Sequence, residues 1–196
     1  FPRMPAITGL MLAGRHVGLK SAPGLKDDLM VARLAPGTTV AGIFTKSRCP
    51  SAPVEWCRAV LPGGKIQAIV VNSGNANACT GQQGWQDVQA MAASAAAACQ
   101  AQLDQALVMS TGIIGEYLPM ECFQTGIPAA ASQLDSDSDS LLAAARGLMT
   151  TDTVHKLASR SVATPQGEIR IAGIAKGSGM IAPDMATIAG ITISSA

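Results

Sequence analysis

The segment Lys176-Gly177-Ser178-Gly179-Met180-Ile181-Ala182-Pro183-Asp184-Met185-Ala186-Thr187 places a threonine directly behind a small residue, at the end of a glycine-rich turn that carries a lysine. A threonine hydroxyl alone is a weak nucleophile. If the bond between Ala186 and Thr187 is broken, the α-amine released on Thr187 lies beside its own Oγ and can take its proton. Such an amine titrates at about 7.7–8.0, so a good share is neutral near pH 7. This is the chemistry of an acyl-transferring nucleophile made from a cut chain end, with Ala186 and Thr187 flanking the cut. Taken locally, the same residues also suit an Ala-Thr pair inside an ordinary strand.

Acyl transfer from an amide further needs donors for the tetrahedral oxyanion and a hold on the substrate. Thr111 offers a hydroxyl and Gly112 a backbone amide that no side chain obstructs, immediately after an apolar run. A plain strand-to-loop turn is an equal reading of Ser110-Thr111-Gly112. Lys176 could hold a carboxylate or depress a neighbouring amine by like-charge repulsion, and it could also be a solvated surface lysine. The stretch Asn72 to Gly81 reads either as a rigid loop leading into a helix or as helix-terminal amides facing a carboxylate. His16 and His155 are far apart and neither has a serine or cysteine at motif spacing. In Gly173-Ile174-Ala175-Lys176-Gly177-Ser178 the order is wrong for a phosphate loop.

Four motifs occur in one order: Asn72-Ser73-Gly74-Asn75-Ala76-Asn77-Ala78-Cys79-Thr80-Gly81, Ser110-Thr111-Gly112-Ile113-Ile114-Gly115, Met149-Thr150-Thr151-Asp152-Thr153 and Ala186-Thr187. Together they resemble the ornithine acetyltransferase (glutamate N-acetyltransferase) family of arginine biosynthesis, over residues 8–187. The resemblance implies the fold of that family, with N-terminal-nucleophile-like processing at Ala186–Thr187 into an α-chain and a β-chain that stay together, in an α2β2 heterotetramer. It implies ping-pong transfer of acetyl from N-acetylornithine through Thr187 to glutamate, with acetyl-CoA as a further donor in some members and no cofactor. It implies that Thr111 and Gly112 form the oxyanion pair and that Thr150, Lys176 and Thr187 bind substrate. The expected compartment is the cytoplasm, or the mitochondrial matrix in a eukaryote. The chain departs from the family after the nucleophile, reading Ile188-Ala189-Gly190-Ile191 where Met-Leu and soon an aromatic residue are usual.

Composition narrows the surroundings. With 196 residues, 48% of them hydrophobic, the chain can bury a substantial core. A net charge of +1 with only 14% charged residues gives no electrostatic pull toward nucleic acid or an anionic membrane. A small, weakly charged solute fits better. Low charge with six aromatic residues also suggests apolar surface hidden by another chain. Five scattered cysteines without a C-x-x-C pair indicate neither a disulfide framework nor a zinc site. Neither a membrane-length apolar run nor a secretory signal is visible. The start at Phe1 leaves room for an initiator segment or a removed leader.

The elements that must position these residues follow from periodicity. Residues 38–45 and 66–71 read as buried strands, separated by a helix over 54–60 capped by Ser51 with Pro53 in its first turn. Thr80-Gly81-Gln82-Gln83 reads as a capping box opening an alanine-rich helix over 82–102. A strand over 105–110 ends in the Thr111-Gly112 turn, and Pro119 opens a helix to Thr125. Residues 135–140 resemble a calcium loop, but Ser140 and Arg146 stand where glycine and glutamate are needed. They are better read as a loop capping a helix over 141–149. Residues 157–164 and 168–175 flank a Pro165-Gln166-Gly167 hairpin turn, and 188–193 could add a strand. The expectation is one α/β domain, an α+β layered sandwich over residues 1–196, with strand order open. Two rival functions share these residues: an N-terminal-nucleophile amidase or peptidase passing its acyl group to water, and a catalytically silent binding subunit.

Overall fold

The structure, a computed structural model, describes residues 6–20, 26–178 and 189–195. In chain order these form β1 (Leu10–Arg15), β2 (Leu29–Leu34), α1 (Ala52–Val60), β3 (Ala68–Asn75), α2 (Gly81–Cys99), β4 (Ala106–Ile113), α3 (Met120–Ala131), α4 (Ser138–Leu148), β5 (Lys156–Thr164), β6 (Gly167–Lys176) and β7 (Ala189–Ser195). Short 3-10 turns at Leu61–Gly63 and Leu103–Gln105 lead toward β3 and β4.

Two sheets result. The first has the order β1-β2-β3-β4, in which β1–β2 and β2–β3 are antiparallel and β3–β4 parallel. A parallel pair needs a long crossover, and α2 provides it. Leu29, Met30, Val31 and Ala32 on β2, and Ala68, Val70 and Val71 on β3, are all but inaccessible. Their unbroken apolar runs are what a strand covered on both faces requires. The second sheet is the antiparallel meander β5-β6-β7.

Helices cover the first sheet because each carries one apolar stripe. On α2 the buried residues are Val88, Met91, Ala92, Ala95, Ala96 and Cys99. On α3 they include Phe123, Ile127 and Ala130, and on α4 Leu141, Ala144, Ala145 and Leu148. Asp137 caps α4, its carboxylate accepting from the Ser140 amide at 2.7 Å. Gly14 on β1 lets α4 lie against the strand, since a Cβ there would sit 2.0 Å from the Ala143 carbonyl oxygen. Leu10, Leu12, Met30, Ala32 and Leu141 meet Ala172, Ile174, Ile191 and Ile193 along an apolar seam, so the second sheet shares this core. Under β4, the Trp56 indole donates to the Ala106 carbonyl at 2.8 Å, and the Trp56 and Trp85 rings lie 6.0 Å apart.

Several expectations are corrected. Residues 40–47 form no strand; Thr39 alone bridges Lys65, and Ile43 is fully exposed. β-branched residues there find no partner strand to pair with. The capping box does not form, because the Thr80 hydroxyl donates to Asn77 Oδ1 at 2.6 Å and Gln83 bonds Asp87 at 2.8 Å. α2 consequently runs over Gly81–Cys99. Thr111 and Gly112 lie inside β4, not in a turn after it. α3 continues past Thr125 through Gly126 and Pro128, since burying Ile127 and Ala130 outweighs those two helix breakers. α4 begins at Ser138 instead of Leu141. β1 and β2 were not anticipated at all. β7 falls near the expected strand, although Ile188 lies outside the described residues.

Candidate active site

Because β3 and β4 are parallel, their C-terminal ends arrive side by side. Ser73 is level with Thr111, and Gly74 with Gly112. Both glycines have positive φ, 113° and 141°, and a Cβ on Gly112 would fall 2.3 Å from the Gly74 carbonyl carbon. Only glycine permits this approach. Beside it, the Thr111 side chain is buried, and its hydroxyl reaches the Asn72 carbonyl only at 3.5 Å. That distance is at the limit of a hydrogen bond, so the hydroxyl is weakly held.

The asparagine-rich stretch is strand β3 as far as Asn75 and loop only from there to α2, and its side chains lock it. Asn72 Nδ2 donates to the Asn75 carbonyl at 2.7 Å, and Ser110 Oγ donates to the same carbonyl at 3.1 Å. The Asn77 amide donates to Ser110 Oγ at 2.9 Å, and Asn77 Nδ2 to the Gly84 carbonyl at 2.8 Å. The side-chain oxygens of Asn72 and Asn75 are buried without a partner among the described residues.

Thr150 and Lys176 are brought together by Asp152. Its carboxylate accepts from the Thr150 amide at 3.2 Å, from the Gly177 amide at 2.8 Å and from the Lys156 ammonium. Burial works to raise the Asp152 carboxyl, but Lys156 and the two amides together hold it below the usual range. Lys176 is itself 5% exposed, and burial pulls its ammonium below the ordinary lysine value, with Asp152 opposing and Lys156 adding to the fall. Thr150 follows α4, whose Gly147 carbonyl accepts from Ser73 Oγ at 2.6 Å. Ser73 is the register partner of Thr111. Thr111 and Gly112 thus lie at the end of the first sheet beside Ser73 and its bond to the end of α4, while Asp152 ties Thr150, after α4, to Gly177, just past Lys176 at the end of β6. Ala186 and Thr187 lie outside the described residues.

Asp28 was missed in the sequence. Fully buried, it accepts from the amides of Val17 at 2.7 Å, Leu19 at 2.8 Å and Lys20 at 3.1 Å, with His16 Nδ1 at 3.1 Å. Its own carbonyl accepts from the Ser73 amide at 2.8 Å. Residues 16–20 are thereby fastened across β3 at Gly74. The available signal was an acid standing directly before the apolar run of β2.

The cysteines offer no rival nucleophile in the core. Burial pushes the Cys57 and Cys99 thiols up to about 11, where thiolate is scarce at neutral pH. Among the described residues no group of three or more His, Cys, Asp or Glu could hold a metal, and no helix is long and apolar enough to cross a membrane. The arrangement places a weakly held hydroxyl beside the Gly74–Gly112 contact and, across the Asp152 bonds from Thr150, a buried ammonium.

The ArgJ family model matches residues 11–196. The chain belongs to the ArgJ family. Similar proteins include the arginine biosynthesis bifunctional protein ArgJ of Bradyrhizobium diazoefficiens, 46% identical over 95% of this chain and 44% of that protein. Another is the ArgJ of Rhizobium meliloti, 41% identical over 100% of this chain and 46% of that protein. The chain thus spans less than half the length of these ArgJ relatives. Among solved structures, ArgJ from Bacillus halodurans matches with a TM-score of 0.85 at 32% identity, covering 93% of this chain and 92% of that one. The ornithine acetyltransferase of Mycobacterium tuberculosis complexed with ornithine matches with a TM-score of 0.84 at 34% identity, covering 94% of each. The mixed α/β, two-sheet architecture is that of ArgJ structures.

Proposed function

We propose that this chain is the α-chain part, with the start of the β-chain, of an acetyltransferase that moves acetyl from N-acetylornithine to glutamate through an acetyl-threonine on Thr187. In this reading the Thr187 Oγ first attacks the Ala186 carbonyl. The peptide nitrogen leaves as the new α-amine, and water hydrolyses the resulting ester to leave Ala186 as a carboxylate. The freed amine then takes the Oγ proton as Oγ attacks the acetyl carbonyl. Negative charge on that oxygen is met by the Thr111 hydroxyl and the Gly112 amide, each such donor being worth about 2.7–4 kcal/mol of barrier. The tetrahedral species collapses, the α-ammonium returns its proton to the leaving amine, and ornithine departs. The amine of glutamate attacks the ester in turn, giving N-acetylglutamate and restoring Thr187.

The observation that carries this reading is the buried, weakly held Thr111 hydroxyl beside the Gly74–Gly112 contact, in a chain of the ArgJ family. Lys176, with Thr150 tied near it through Asp152, supports a hold on substrate carboxylate. A relative solved with ornithine supports the substrate class. No cofactor enters these steps, and acetyl-CoA enters only as a second acetyl donor. Exposed Ile113, Ile114 and Tyr117 just past Gly112 support a covering β-chain; an α2β2 assembly and a cytoplasmic compartment belong to the same proposal.

Intact-mass measurement with and without acetylornithine tests the reading. A break before Thr187 and one added acetyl on the Thr187 fragment are expected. Release of acetate at the same rate with and without glutamate would favour the amidase instead. Acetylornithine binding unchanged by Thr187→Ala, with no covalent acetyl on the wild type, would favour a silent binding subunit.

A further inference from the structure

The cation bonded to Asp152 is not the buried lysine next to it. Lys156 begins β5, and its ammonium bonds the Asp152 carboxylate, which also accepts from the Gly177 amide at 2.8 Å and the Thr150 amide at 3.2 Å. Gly177 directly follows Lys176, so the same carboxylate lies within reach of the flexible four-carbon Lys176 stem. Lys176 is nevertheless buried with no hydrogen bond or ion pair of its ammonium among the described residues. A buried charge left in that state is costly unless something else pairs with it.

Strand geometry sets the two lysines on either side of the acid. Lys156 is level with Ala175 in the β5–β6 register, and successive side chains on a strand point to opposite faces. Lys156 therefore comes from the open face, with 43% of its side chain exposed, whereas Lys176 shares the covered face with Ala172 and Ile174. Asp152, its side chain all but inaccessible, takes the ammonium from the open side. One carboxylate and two ammonium groups leave a single positive charge, and it rests on Lys176, the member without a partner. A ligand carboxylate matches that charge.

We propose that Lys156 is a positioning residue for substrate binding: by occupying Asp152 it keeps the Lys176 ammonium free for the carboxylate of an amino-acid substrate. This rests on the acetyl-transfer reading, in which Lys176 holds that carboxylate. Without Lys156, Asp152 is a buried carboxylate short of a counter-ion, a costly state. Lys176 is placed to supply one, and the resulting pair is neutral toward a ligand. N-acetylornithine and glutamate both carry an α-carboxylate, so donor and acceptor depend on Lys156 alike.

The test uses the full-length protein with Lys156→Met, Lys156→Arg, Lys176→Met and the Lys156→Met/Lys176→Met double variant, each checked by thermal melt. Calorimetry with L-ornithine reads binding apart from turnover. Lys156→Met should weaken ornithine on the order of tenfold, and Lys156→Arg, which still bonds a carboxylate, should recover most of that loss. In steady state Lys156→Met should raise KM for acetylornithine and for glutamate together and change kcat less. If Lys156 acts through Lys176, the double variant binds ornithine no worse than Lys176→Met alone, whereas independent contributions add. Undiminished binding by Lys156→Met, no recovery in Lys156→Arg, or additive losses overturn the assignment; where the double variant does not fold, the contrast between Met and Arg decides. Ornithine binding by Lys176→Met equal to wild type, or none by the wild type, overturns instead the reading of Lys176 as the carboxylate holder, and the role of Lys156 with it.

Discussion

Thr111 keeps its hydroxyl below the surface with one long contact to the Asn72 carbonyl, an arrangement that costs folding little to lose and, in the proposed function, costs catalysis much. Thr111→Val should therefore lower kcat on the order of 100-fold to 1,000-fold, with a urea midpoint close to wild type; single-turnover acetylation of Thr187 reads the first and a denaturation curve the second. Lys176 behaves oppositely in its two roles. Burial lowers its ammonium below the ordinary value of 10.5, so between the folded pKa and that value the unfolded chain holds the proton more tightly than the folded one. Stability arising from this group then rises as pH climbs through that window, while carboxylate binding falls because the charge is leaving. A pH series should show ligand affinity declining before 10.5 with no matching loss of stability from Lys176. Lys176→Met should flatten the stability term and abolish the binding limb. Thr111 and Lys176 stood out in the sequence through the glycines beside them and the family resemblance, although the structure sets both inside strands, β4 and β6. Asp28 did not, since nothing local reveals that an acid before a strand will collect three amides from a loop.

The elements show where tight approach leaves no slack. A Cβ on Gly14 would lie 2.0 Å from the Ala143 carbonyl oxygen, a backbone atom of α4. Gly14→Ala should cost about 1–3 kcal/mol or more, whereas Gly63→Ala, with open space around it, should stay within about 0.5 kcal/mol; equilibrium unfolding compares them. Asp152 fastens the end of β6 to the segment after α4. Its folded carboxyl is depressed, because Lys156 and two amides outweigh the burial that would raise it. Its contribution is present above the unfolded value near 3.8 and disappears as pH falls through the folded one. Asp152→Asn should lose about 1–3 kcal/mol at pH 7 and show a smaller further loss on acidification than wild type. The helices were readable because their apolar stripes repeat at the helical period. Residues 38–45 misled because β-branching expresses a preference that only a pairing strand can realise, and β1 and β2 escaped notice because Gly14 and Arg33 interrupt their apolar patterns.

At the scale of the whole molecule, strand order was the part that spacing could not reveal. Register between β3 and β4 is a long-range fact, and it alone turns two separate glycines, Gly74 and Gly112, into one contact. In the proposed function, chain processing is the decisive variable for activity. Protein with Ala186–Thr187 intact has no free amine on Thr187 and should show little turnover until cut. Thr187→Ala should remain a single band on a denaturing gel and form no acetyl-enzyme by mass spectrometry. Full turnover by uncut material would contradict both expectations.

Trp56 and Trp85 are the only tryptophans in the chain, and they sit 6.0 Å apart where α1 and α2 meet the beginning of β4. The intrinsic fluorescence of the described fold consequently comes from a single spot, at the root of the strand whose tip carries Thr111 and Gly112. Emission that responds to substrate would report strain passed along that strand from tip to root, and silent emission would mark the root as a fixed anvil, without any dye or engineered label.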